Sequence, residues 1–196
     1  MSINFEFFKE CVNEDSFLQR KYNEINELLE CAEAQYWEQP IECAKTLRRI
    51  AEDICHVYNQ FYKVGMEQED SIESYLCYGD ENEHNRSVSF FFSAVGNEQR
   101  NRLNEVRTLA DQCIYLEDHD AEREKSGDMV AIDVKQMMIT TMAILKELCK
   151  MVNGREDVSD YYFVEESIPK KEDPAIAEAL RNEPKWKKVL RFLSSL

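Results

Sequence analysis

The sequence predicts an all-α protein, an antiparallel bundle of about four long helices with short peripheral helices. Two observations carry this. Apolar residues recur at spacings of three and four along several long stretches, the period of an amphipathic helix. Glycine and proline number only 5 and 4 in 196 residues, whereas sandwiches and barrels need many turns. A third observation sets direction: only Glu38–Pro40 separates two of the long stretches, and so short a connection predicts an antiparallel hairpin.

Residues 4–12 read as a short amphipathic helix whose Phe5, Phe7 and Phe8 dock on the bundle. Asn13-Glu14-Asp15-Ser16 is a break made of N-cap residue types. From Phe17 to about Glu38, Leu18, Tyr22, Ile25, Leu28, Leu29, Ala32 and Tyr36 mark one apolar stripe. Pro40 suits the first turn of the next helix. That helix, Ile41 to Val64, has a broad apolar face built on Leu47, Ile50, Ile54, Val57, Tyr58 and Phe61, with Gly65 as its expected C-terminal cap.

Residues 66–87 are the least regular. Ser71–Tyr78 is expected to form a short helix and 79–85 a polar loop holding a solvated His84. Ser87–Val95 carries Phe90-Phe91-Phe92 and is read as a short buried helix, with a strand as the alternative. Beyond Gly96, a helix is expected from Asn97 to Leu116, a polar loop over 117–128, and a Met- and Ile-rich helix from Met129 to Val152 that Asn153-Gly154 ends. Residues 1–154 thus make the bundle. Residues 155–196 read as an acidic linker, with Tyr161–Val164 tucked inward, followed by short helices at 174–180 and 184–196 that pack on or extend the bundle. The last sets Lys185, Lys187, Lys188 and Arg191 against Trp186, Val189, Leu190 and Leu193.

Composition restricts function. The net charge is −15, which opposes bulk binding to phosphate backbones. The same charge suits an acidic mimic of nucleic acid facing a basic partner protein. Seven cysteines without a CxxC pair, beside three histidines, point to buried free thiols in a reducing cytoplasm and to no zinc site. No basic-then-apolar leader and no run of about 18 apolar residues occur, so neither a signal peptide nor a membrane contact is expected. No cofactor-binding motif is found: there is no glycine-rich phosphate loop and no Ser-His-Asp arrangement.

The charged residues worth following sit inside apolar helices. Arg48 and Glu52 lie at i and i+4, and Arg107, Asp111 and Tyr115 at i, i+4 and i+8, so each set shares a helical face. Together they form an expected polar cluster between two helices, chiefly architectural. His56, in the apolar helix near Tyr58, is expected to be packed or hydrogen-bonded.

These residues also carry a resemblance. Asn4-Phe5-Glu6-Phe7, Ala32-Glu33, Trp37-Glu38-Gln39-Pro40 and Leu47-Arg48-Arg49-Ile50-Ala51-Glu52, followed by Arg107 through Tyr115, resemble the small helical domain found at the N-terminus of type I restriction enzyme R subunits and as a stand-alone bacterial protein, within the broad HEPN-like class. The resemblance covers roughly residues 4–152. The family's Arg-x-x-Gly-Asn-x-x-x-His motif is degenerate here: Ala110 stands for Gly, Asp111 for Asn and Tyr115 for His. The resemblance implies a homodimer and, in active members, RNA cleavage by an Arg and a His. Arg107 would take the Arg role and Tyr115 or His119 the other. An unperturbed tyrosine, with a pKa of about 10, is a poor base at neutral pH. The leading expectation is therefore a non-catalytic binding or regulatory protein in a prokaryotic defence or toxin–antitoxin setting. The alternatives are a metal-independent ribonuclease with Arg107 at a dimer cleft, and the nucleic-acid mimic.

Overall fold

Seven consecutive residues, Asp53 to Asn59, are buried. A helix hidden on every side lies at the centre of its fold, and in the computed structural model that helix touches most of the others. The structure describes residues 4–67, 70–79, 82–118 and 120–170, with the backbone alone over 117–127. The chain is all-helical, without a strand among the described residues. The elements are α1 (Glu6–Lys9), α2 (Ser16–Gln35), α3 (Pro40–Tyr62), α4 (Ile72–Leu76), α5 (Asn82–Val95), α6 (Asn97–Asp118) and α7 (Asp120–Asn153). The 3₁₀ turns Asp157–Asp160 and Glu165–Ser167 follow. The central α3 packs on α2, α4, α5, α6 and α7, and α6 packs on α7.

Local chemistry sets the ends. Asp15 caps α2, its Oδ1 accepting from the Phe17 and Leu18 amides at 2.8 and 3.2 Å. Pro40 occupies the first turn of α3, where the missing N–H is no loss. The cap of α3 is not Gly65 but Lys63, in the left-handed region at φ 55°. Asn59 makes this turn close early: its side chain donates to the Met66 carbonyl at 2.9 Å and accepts from the Met66 amide at 3.1 Å. Gly154, at φ 65°, ends α7, with Arg155 N donating back to Cys149 O at 3.2 Å.

Three expectations are corrected. The polar loop over 117–128 is helical, with α6 running to Asp118 and α7 starting at Asp120. Its Ala, Glu, Arg and Lys residues favour helix intrinsically although they show no apolar stripe. The loop over 79–85 likewise gives way at Asn82, where α5 begins. Phe90-Phe91-Phe92 is not buried as a unit: Phe91 is in the core while Phe90 is 50% exposed. Adjacent helical residues stand about 100° apart, so three cannot share one face. The region 174–196, with its basic residues, lies outside the described residues.

Residues 155–168 fold back on the helices. Arg155 Nη1 donates to Phe7 O at 2.9 Å, Tyr36 Oη to Glu165 at 2.7 Å, and Trp37 Nε1 to Ile168 O at 3.0 Å. Of the inward stretch expected at 161–164, Phe163 packs on the core while Tyr162 is 72% exposed.

Candidate functional site

Arg48 and Glu52 stand one turn apart on α3, and both reach α4. Arg48 Nη2 ion-pairs with Glu73. Glu52 Oε2 accepts from the Ile72 amide at 3.1 Å, satisfying an N–H at the start of that short helix. Arg48 also reaches α6, its Nε donating to Asp111 Oδ1 at 3.3 Å. The other oxygen of Asp111 accepts from Arg107 Nη1 at 3.0 Å. Arg107 is held in turn by Asn104 Oδ1, at 3.2 Å from Nε and 3.0 Å from Nη2. Asp111 thus bridges two arginines, and α3, α4 and α6 meet at one network.

Burial disfavours the Arg48 cation, but Glu73, Asp111 and Glu52 outweigh it and raise its pKa. Burial likewise opposes ionisation of Glu73, and the helix-start amide with Arg48 overcomes it, lowering its pKa. The two directions agree: both partners stay charged. Arg48 and Arg107 supply two positive charges, Asp111 and Glu73 two negative ones. With Glu52 also acting on Arg48, negative charge is in excess by one, and the network offers no net attraction to an anion.

Of the expected cluster, Arg48, Arg107 and Asp111 converge directly. Glu52 joins through α4 rather than through the arginines. Tyr115 is 54% exposed on α6, and His119 lies outside the described residues. Glu73 was missed by sequence reading. Its only local signal is an acid in the first turn of a short helix, which reads as capping chemistry.

A second polar group is buried between α2 and α3. Lys21 Nζ donates to Asp53 Oδ1 at 2.7 Å, and His56 Nδ1 lies 3.6 Å from the same oxygen, in ion-pair range but too far for a hydrogen bond. His56 Nε2 meets Asp70 O at 3.0 Å. Burial would lower the His56 pKa, but Asp53 and the Asp70 carbonyl outweigh it and raise it. Burial would raise that of Asp53, and His56 with Lys21 lowers it instead. His56 is a packed, bonded histidine, as expected. His84 is not in a solvated loop. It sits half-buried in the first turn of α5, with Nε2 3.4 Å from Cys77 O.

The remaining motif residues have structural roles. Asn4 donates to Glu33 Oε1 through its amide at 2.8 Å and Nδ2 at 3.1 Å. Its own Oδ1 accepts from the Val164 amide at 2.7 Å.

No family model, curated protein or solved structure matches the chain. Among the described residues no group of three or more His, Cys, Asp or Glu is placed to hold a metal, and no helix is long and apolar enough to cross a membrane. Of the cysteines, Cys31 and Cys77 are exposed rather than buried.

Proposed function

We propose that the chain is a non-catalytic HEPN-like binding protein, an antiparallel bundle of four long helices that acts by association rather than by chemistry. The observation carrying this is the state of Arg107. Its guanidinium is occupied by Asp111 and Asn104, and Asp111 is shared with Arg48. An arginine that stabilises a cleaved phosphate needs donors aimed at the substrate. Here those donors close a junction with no excess of positive charge, and tyrosine stands where the family places its base. The bundle reading is supported by cross-helix contacts that progress in opposite directions, Lys21–Asp53 and Asp15–Gln60 between α2 and α3, Gln99–Ile144 and Glu105–Gln136 between α6 and α7.

Association needs a surface, and α7 offers one. Met129, Ile132 and Ile139 fall on one side of the helix and are 59%, 66% and 42% exposed. This reading assigns the row to a second copy of the chain.

Incubating purified protein with tRNA and with single-stranded RNA, metal-free, tests the catalytic question. Intact RNA is expected. Cleavage that disappears in Arg107→Ala while the variant stays folded would establish the ribonuclease instead. Light scattering of wild type and Ile132→Glu tests the surface: a dimer that becomes a monomer is expected, and a wild-type monomer refutes the assignment.

A further inference from the structure

Two thiols far apart in sequence meet in the core. Cys11 follows α1 and Cys149 lies in the last turns of α7, and their sulfurs stand 2.9 Å apart. Cys11 is 2% exposed and Cys149 fully buried. Arg155 lies over them, its Nη1 4.0 Å from Cys11 Sγ. The other buried cysteines have different surroundings: Cys43 Sγ donates to Ala32 O at 3.2 Å, and burial pushes the Cys113 thiol up to about 11.

We propose that Cys11 and Cys149 are a redox pair that closes to an intramolecular disulfide when the protein meets a peroxide. The facing geometry is already present, and small side-chain rotations bring the sulfurs to the covalent distance of about 2.05 Å. Cys11 is the attacking thiol. The Cys149 hydrogen bond and the Arg155 cation lower its pKa against the effect of burial, while that of Cys149 is raised by the same hydrogen bond and by burial. A thiolate beside a cation is the reactive form.

Cys11 lies between exposed Glu10 and Val12, and the oxidant reaches it by local opening of the segment between α1 and α2.

The chemistry balances with hydrogen peroxide as the oxidant. The Cys11 thiolate attacks one peroxide oxygen, the O–O bond breaks, and the departing hydroxide takes a proton to become water. Cys11 is then a sulfenic acid. Cys149 Sγ attacks its sulfur, the S–S bond forms and the S–O bond breaks. The hydroxide leaves as a second water, carrying the Cys149 proton. Two thiols lose two electrons, one peroxide gains them, and a dithiol reductant reverses the change. The bond fixes α1 to the C-terminal end of α7 and restricts the unfolded chain.

Peroxide treatment of the native full chain, followed by denaturing alkylation and peptide mass mapping, tests this. The expected product is a Cys11 peptide joined to a Cys149 peptide, lighter by two hydrogens, released by dithiothreitol, with a raised melting temperature. In Cys149→Ser the sulfenic acid should persist and be captured on Cys11 by dimedone. Oxidation should slow in Arg155→Gln and recover towards wild type in Arg155→Lys. Recovery of Cys11 and Cys149 as free thiols after exposed Cys31 and Cys77 have been oxidised overturns the proposal. So does a disulfide that joins Cys11 to any other cysteine.

Discussion

Replacing Arg48 with methionine separates an architectural network from a working site. The substitution keeps an unbranched apolar stem and removes both ion pairs, to Asp111 and to Glu73. Neither pair is deeply buried: side-chain exposure is 27% for Arg48, 43% for Asp111 and 40% for Glu73. The stranded carboxylates can therefore rehydrate, and the full cost of an unpaired buried charge does not apply. Each half-exposed pair contributes at most about 1 kcal/mol after screening. The expected destabilisation from the two pairs is about 0.4–2 kcal/mol. For a domain of this size that corresponds to a fall in Tm of roughly 1–8 °C. Urea unfolding followed by circular dichroism measures it, as a lower midpoint with an unchanged slope. Arg49→Met is the control, since Arg49 is exposed one position along the same helix and should shift stability by less than about 0.5 kcal/mol. A double-mutant cycle with Asp111→Asn should return a coupling of about 0.2–1 kcal/mol. Unchanged or increased stability in Arg48→Met would refute the architectural reading.

Gln99 is 3% exposed and donates to Tyr58 Oη at 2.7 Å and Ile144 O at 3.0 Å, joining α6 to α3 and α7. Gln99→Leu should lose about 1–3 kcal/mol of unfolding free energy, because the volume is kept while buried Tyr58 loses its partner. Lys63 holds φ 55°, so Lys63→Gly should stabilise by up to about 1 kcal/mol, read as a higher urea midpoint. The Lys21–Asp53–His56 group sets a pH window. The raised His56 pKa gives a contribution fully present below about 6.5 and lost as pH rises through the folded value. The lowered Asp53 pKa gives one present above about 3.9 and lost as pH falls through its folded value. Stability from this group should be greatest between these limits, and His56→Gln should flatten the decline on the alkaline side in a urea–pH series.

The long helices were legible where apolar spacing and end chemistry agreed. Asp15 and Pro40 mark the starts of α2 and α3 as expected. The charged stripes were legible as shared faces, Arg48 with Glu52 and Arg107 with Asp111, because helical spacing places them so, whereas the meeting of Arg48 with Asp111 depends on how α3 and α6 pack. Three kinds of information were not local. Glu73 joins through tertiary placement of a five-residue helix. Helix continues through 120–128 on intrinsic propensity, without the apolar period that marks a packed face. Lys63 takes the left-handed cap because Asn59 and Met66 close the turn upon themselves, a constraint that composition does not announce. The Cys11–Cys149 meeting spans 138 positions and has no signature in either neighbourhood.

The stitching of Asn4 to Val164 and of Arg155 to Phe7 bears on how the chain is made. Residues 4–8 leave the ribosome well before these partners do. At synthesis rates of about 5–20 residues per second, the roughly 150 intervening residues take on the order of 8–30 s. Phe5, Phe7 and Phe8 are all buried in the finished protein, but they do not wait equally through that interval. Phe8 has an early companion in Tyr22, whereas Phe7 stacks on Tyr161. A chain truncated before residue 155 would leave Phe7 without the Tyr161 ring and its carbonyl without the Arg155 guanidinium.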